Sequence, residues 1–219
     1  NATLILSGTA FILCSVVGVL IGTISAFKQY TITDKIITFT VLTGISLPSF
    51  FLGMMMILLF AVNLQWLPVS GMYAIYGGGD FLDLIHHLIM PAIALALVAT
   101  GVVARITRNS VLEILRQDYI RTARAKGVRE GNVLFKHVLR IAIVTILPIL
   151  GLQAGFVLSG SVFIEIVFQW PGVGRMLVDA ILKRDILLVQ GGVMFVAACY
   201  VLFNIAVDLL QRYLDPRIK

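Results

Sequence analysis

Polar and apolar positions do not alternate along this chain; they segregate into long blocks. No Asp, Glu, Lys or Arg occurs in residues 1–27, 36–79, 84–104, 141–164 or 186–207. About 20 apolar residues at 1.5 Å each cross a hydrocarbon core of about 30 Å. The blocks therefore predict helical spans near residues 4–27, 37–62, 88–105, 141–165 and 186–208. One such block could be the centre of a soluble core, but five leave too little polar surface to dissolve a fold. A membrane β-barrel would alternate polar and apolar residues along each strand. Met54-Met55-Met56-Ile57-Leu58-Leu59-Phe60 does not. The chain reads as an all-α integral membrane protein with five transmembrane helices, residues 1–219 forming a single domain.

Composition agrees: charged residues make up 13% and the mean hydropathy is +1.01, whereas soluble domains carry about 25% charge. Charge then sets the orientation. Lys28, Lys35, the nine basic residues of 105–140, Arg212, Arg217 and Lys219 fall on one side, leaving Arg175, Lys183 and Arg184 on the other. By the positive-inside rule the basic side is cytoplasmic, so Asn1 is expected outside and the C-terminus inside. Trp66, Tyr73 and Trp170 lie just beyond span ends, where an interfacial aromatic belt is expected. Topology accounts for the basic charge, and no nucleic-acid-binding module accompanies it.

Within the spans, Gly18 and Gly22, and Gly151, Gly155 and Ser159, place small residues four apart, which predicts close helix packing. Pro48, Pro91 and Pro148 are expected to kink or start helices. Cys14 and Cys199 lie in spans and read as packing residues. Glu165 and Asp208 are acids close to the hydrocarbon, candidates for pairing or for lining a pathway. Gln153, Ser159, Ser161 and Asn204 could line a polar route or bond between helices. His86 and His87 are adjacent rather than i, i+4, and there is no H-E-x-x-H, so no metal site is assigned and no catalytic constellation is found. No G-x-x-x-x-G-K-[ST] phosphate loop is present.

The longest basic segment, within 105–140, is the most informative. Residues 111–126 lack Gly and Pro and favour helix, and Gly127 suits its C-terminal cap. Tyr119, Ile120 and Ala123 can share one side. From spacing alone the segment could be a docking knob for a soluble partner or a basic helix lying on anionic lipid.

Asp118-Tyr119-Ile120-Arg121-Thr122-Ala123-Arg124-Ala125-Lys126-Gly127 resembles the EAA coupling loop of ABC importer permeases, in the form of the oligopeptide/dipeptide/nickel group. Ser46-Leu47-Pro48-Ser49-Phe50, Gln65-Trp66-Leu67-Pro68-Val69-Ser70-Gly71, Phe168-Gln169-Trp170-Pro171-Gly172-Val173-Gly174-Arg175 and Leu214-Asp215-Pro216-Arg217-Ile218 fit the same family, most closely its first paired permease. The leading Glu and Ala of the broad loop pattern fall on Arg121 and Thr122, while Ala123 and Gly127 match. The downstream Ile-x-Leu-Pro falls on His137, Leu139 and Arg140. The resemblance implies a type I importer permease fold with a sixth span expected before Asn1, where a start at Asn rather than Met also points.

It further implies a 109–135 coupling loop in which Asp118, Tyr119, Arg121, Thr122, Ala123, Arg124, Ala125, Lys126 and Gly127 meet the ATPase. Implied partners are a second homologous permease, two ABC ATPase subunits and an extracytoplasmic substrate-binding protein, with membrane lipid around the spans. ATP and Mg would bind the ATPases, and this chain would bind no cofactor and hydrolyse nothing. Ser46, Pro48, Ser49, Gln153, Ser161 and Glu165 are the expected translocation-path residues. The setting would be a bacterial or archaeal cytoplasmic membrane and the cargo a dipeptide or oligopeptide, with a nickel or metal-chelate importer as the alternative. A secondary transporter or channel is the rival of another class. It would need mid-span charge or internal repeats, and neither is seen.

Overall fold

The computed structural model describes residues 1–74, 76 and 78–214. Most of the Leu214–Ile218 motif, with Arg217 and Lys219, lies outside the described residues. The elements are α1 (Ala2–Phe27), α2 (Ile32–Ser46), α3 (Ser49–Met56), α4 (Phe81–Leu115), α5 (Asp118–Ala125), α6 (Glu130–Asn132), α7 (Arg140–Val167), α8 (Val173–Leu182) and α9 (Ile186–Leu214). Wider π-helical turns extend α3 through Ile57–Asn63 and lead into α7 through Val133–Leu139.

Among the described residues four helices are long and apolar enough to cross a membrane, and the bent pair α2–α3 makes a fifth if counted as one span. The span expected over 37–62 is broken, as the expectation that Pro48 kinks or starts a helix allows: α2 and α3 meet at 103°. Pro48 has no N–H to donate and disfavours helical geometry in the residue before it. Leu47 accordingly sits in extended backbone at φ −97°, ψ 133°. Pro91 and Pro148, by contrast, lie inside α4 and α7 without ending them.

The long α4 is the spine. It packs on α1, α2, α3 and α7. In its most apolar stretch 67% of residues are buried, against 6% in α9, so α4 is central and α9 peripheral. The small residues of α1 explain the closest contact: a Cβ on Gly18 would strike Val103, and one on Gly22 would meet the Ala104 carbonyl and Thr107. Backbone-to-backbone approach of this kind is what a GxxxG stripe permits. Gly155 does the same for Tyr200 of α9.

Two apolar clusters form. One joins α1, α4 and α7 around Leu6, Cys14, Met90, Leu95, Ile164, Phe168 and Trp170. The other, at the opposite end, gathers Val111, Ile114, Ile120, Val133, Val138 and Ile146. Trp170 departs from the aromatic-belt expectation. It is fully buried and its Nε1 donates to the Ala2 carbonyl at 3.0 Å. An indole that finds a backbone acceptor inside the protein has no need of the headgroup layer. Trp66, 65% exposed, and Tyr73 do lie at the surface.

Candidate functional site

The helix expected over 111–126 is two helices. α4 stops at Leu115, and Gln117 turns into extended backbone at φ −71°, ψ 145° before α5 begins at Asp118. No Gly or Pro forces this break. Ile120 does: the turn folds its fully buried side chain back onto Val111, Ile114, Val133 and Val138. Tertiary packing here overrides local propensity.

The other end of α5 closes as a Schellman motif. Gly127, at φ +78°, donates its N–H to the Arg124 carbonyl at 2.9 Å, and Val128 donates to Ala123 at 3.2 Å. Arg124 then spans the turn, with Nε to Glu130 Oε1 at 2.8 Å and Nη2 to Glu130 Oε2 at 3.2 Å. Asp118, Tyr119, Arg121, Thr122, Arg124, Ala125, Lys126 and Gly127 are exposed, and Ala123 is half-buried. Tyr119 thus points outward rather than sharing the packed side with Ile120; partial burial still pushes its phenol above the usual range. The result is a short helix gripped from within by one isoleucine and presenting polar side chains outward.

The bend between α2 and α3 carries Ser46 and Pro48, both exposed, and the half-buried Ser49. The three α7 candidates are elsewhere. Gln153 is buried. Ser161, also buried, donates to the Leu158 carbonyl at 2.8 Å and lines a groove of about 730 Å³ between α7, α8 and α9. Glu165 is fully buried at the far end of α7, where Oε2 accepts the Arg175 N–H of α8 at 3.0 Å. A Cβ on Gly172 or Gly174 would fall on its carboxylate. The Trp-Pro-Gly-Val-Gly run is therefore a cradle for Glu165. The structure places Ser46, Pro48 and Ser49 at the bend, and Gln153, Ser161 and Glu165 buried along α7.

Residues 18–219 match the family of binding-protein-dependent transport system inner membrane components. The chain belongs to this family. Among curated relatives, the di/tripeptide transport system permease protein DppB of Pseudomonas aeruginosa is 42% identical across 100% of this chain and 70% of its own length. The dipeptide transport system permease protein DppB of Escherichia coli K12 is 41% identical, across 100% and 71%. The oligopeptide transport system permease protein AppB of Bacillus subtilis is 39% identical, across 99% and 69%. Among solved structures, an inward-facing MetNI methionine ABC transporter superposes with TM-score 0.79 at 17% identity, covering 98% of this chain and 93% of the other. An amino acid ABC transporter gives 0.66 at 16%, covering 99% and 90%. These structures establish the ABC importer permease fold, consistent with the helical expectation and with α2–α3 counted as one broken span. A permease of this family carries no catalytic activity of its own and works with separate ATPase and binding-protein components.

His86 and His87 are held by local bonds. His86 Nε2 lies 3.1 Å from the Trp66 carbonyl, and His87 Nδ1 lies 3.1 Å from Asp83 Oδ1. Asp83 in turn accepts the N–H groups of Ala74 and Gly79. Among the described residues no group of three His, Cys, Asp or Glu could hold a metal.

One site escaped the sequence reading. Arg108 of α4 grips Asp34 of α2 through Nε to Oδ1 and Nη2 to Oδ2, both at 2.9 Å. Ser25 of α1 donates to the same Oδ1 and accepts from Arg108. The signal available was an acid and a base at the edges of uncharged runs, and nothing in the spacing pairs residues 74 positions apart.

Proposed function

We propose that this chain is the first of two paired permeases in an ATP-driven ABC importer that carries dipeptides or oligopeptides across the bacterial cytoplasmic membrane. The observation that carries the reading is α5: an eight-residue helix anchored by Ile120, stopped by Gly127 and braced by Arg124 and Glu130, with its remaining polar side chains free to meet a soluble partner. A basic helix meant for lipid would instead turn an apolar face outward. The peptide cargo is supported by the names of relatives that align along the whole chain.

In this reading Asp118, Tyr119, Arg121, Thr122, Ala123, Arg124, Ala125, Lys126 and Gly127 fit a groove on an ATPase subunit. Two such ATPases close on ATP and Mg, drive the coupling helices of both permeases, and turn the shared cavity toward an external binding protein. The 109–135 segment and the C-terminus are cytoplasmic, as the basic residues require. Ser46, Pro48 and Ser49 line the route at the bend, where a broken helix offers backbone polar groups to a cavity. Gln153, Ser161 and Glu165 contribute from α7, Gln153 and Ser161 where polar groups are shielded from lipid, Glu165 by shaping the outer end.

Affinity purification of the tagged full-length permease in mild detergent, followed by mass spectrometry, tests the assembly. Two ATPases, a second permease and a peptide-loaded binding protein are expected. A stable chain that purifies alone would overturn the importer reading.

A further inference from the structure

α2 is held to the rest of the permease in an unusual way. Of its 15 residues only Asp34 is buried. Its apolar side chains Ile36, Phe39 and Leu42 are exposed in this chain. Asp34 itself is 5% exposed and its carboxylate is saturated. Oδ1 takes Ser25 Oγ–H and Arg108 Nε–H, while Oδ2 takes Arg108 Nη2–H and the Tyr30 N–H at 3.1 Å. Tyr30 holds the α1–α2 turn in the left-handed region, at φ 64°. Three helices and a tight turn thus converge on one carboxylate.

Further along α2 the contact with α4 is of a different kind. Gly101 faces Ile45 and the Val41 carbonyl so closely that a Cβ would collide with Ile45. The ion pair fixes one end of α2 in direction and distance, and close packing of Val41 and Ile45 on Gly101 seats the other. Two oxygens against a planar guanidinium resist both translation and rotation.

The pair also sits between the two functional regions. Arg108 precedes the end of α4 by about two turns. That end carries Ile114, which packs on Ile120 of the coupling helix. In the opposite direction α2 leads to the bend at Leu47 and Pro48, with Ser46 and Ser49 beside it.

We propose that the Asp34–Arg108 ion pair is the positioning joint that transmits movement of the coupling helix to the bent segment of the pathway, an inference that rests on the chain being an ATP-driven permease. Displacement of α5 shifts the inner end of α4, and Arg108 carries that shift to the root of α2. The lever α2, seated on Gly101 near its far end, then moves the bend. The effect of the pair lies in how much transport each ATP produces.

The complete transporter (this permease, its partner permease, the ATPases and the binding protein) is reconstituted in proteoliposomes. ATP hydrolysis and uptake of labelled alanyl-alanine are measured together. ATP-dependent uptake by the parent complex checks the importer reading; if the parent shows none, that reading fails and the joint falls with it. With the parent active, Asp34→Asn and Arg108→Gln are expected to raise the ATP hydrolysed per dipeptide on the order of tenfold while hydrolysis stays within about twofold of the parent, the range of an ordinary coupling energy. Arg108→Lys, which keeps the charge but loses the fork, falls between. A merely structural pair would lower uptake and hydrolysis together in proportion to assembled complex, leaving the ratio unchanged, and that result overturns the joint. If the single variants do not assemble, Ser25→Ala decides, since it removes one bond to Asp34 and keeps both charges. A raised ratio supports the joint and an unchanged one overturns it.

Discussion

Replacing Ile120 with alanine isolates what holds α5 in place. Helices shorter than about 12–15 residues are marginal in water on their own, and α5 has eight residues. Its other side chains are exposed or half-buried, and the bracing pair Arg124–Glu130 is exposed on both sides, with 40% and 62% of the side chains accessible. Exposed ion pairs contribute about 0–1 kcal/mol. Ile120 is fully buried among Val111, Ile114, Val133 and Val138, and deleting such a side chain to alanine costs about 2–5 kcal/mol. Docking therefore rests on this residue. A loss of about 3 kcal/mol would raise the undocked population of α5 roughly a hundredfold. Hydrogen exchange followed by mass spectrometry on the purified permease should detect it as faster exchange over 118–128, with 81–115 and 140–167 unchanged. Peptide uptake should fall in parallel. The reasoning is refuted if protection over 118–128 is unaltered, or if protection is lost equally along the chain, which would make Ile120 a residue of the global core.

Gly127 has open space where a Cβ would be, so its cost on substitution is conformational rather than steric. An L-residue in the left-handed region loses about 1–2 kcal/mol, with Asn the best tolerated; Gly127→Asn should keep most uptake and Gly127→Val should lose it, with membrane insertion checked by immunoblot. In α1, Gly22→Leu drives a side chain into the Ala104 carbonyl and Thr107, whereas Gly8 faces open space. Overpacking costs about 1–3 kcal/mol or more, so a thermal-aggregation scan in detergent should show a lower midpoint for Gly22→Leu and none for Gly8→Leu. In the Glu165 cradle, Gly172→Ala and Glu165→Ala should each lower that midpoint, while the double variant loses less than the two effects added, because the clash needs both partners. Full additivity would deny the cradle.

The spans were legible because apolar runs without charge have few other uses, and the stop after α5 because Gly127 readily takes the left-handed conformation that ends a helix. The break after Leu115 was hidden. Residues 111–126 lack Gly and Pro and as a run favour helix, and packing with Val133 and Val138, placed by the fold, draws Ile120 back. Trp170 misled for a related reason. An indole at a span end fits the interface equally well as a buried site with an acceptor, and the acceptor, the Ala2 carbonyl, is distant in sequence. Pro48 was visible as a perturbation, but the size of the bend depends on α3 finding α4 and α7 to pack against. Glu165 was visible as an acid near hydrocarbon. Its explanation lay in Gly172 and Gly174, whose missing Cβ atoms make room for the carboxylate.

The placement of charge bears on how such a permease can be driven. The long uncharged runs leave the middle of every span without Asp, Glu, Lys or Arg. Asp34 and Arg108 meet at the end that carries α5, whereas Asp83 and Glu165 lie at the opposite end, each bonded to backbone N–H groups or to a charged partner. A transporter coupled to an ion gradient needs a charge or coordinating site that the ion reaches near the midplane. Here Asp, Glu, Lys and Arg lie only toward the ends of the spans, and the end that carries the exposed α5 also carries the buried ion pair. Energy supplied there by another subunit would have to pass along helices as rigid bodies, which suits a spine as deeply packed as α4 and a bent segment tied to it by an ion pair and by close packing at Gly101.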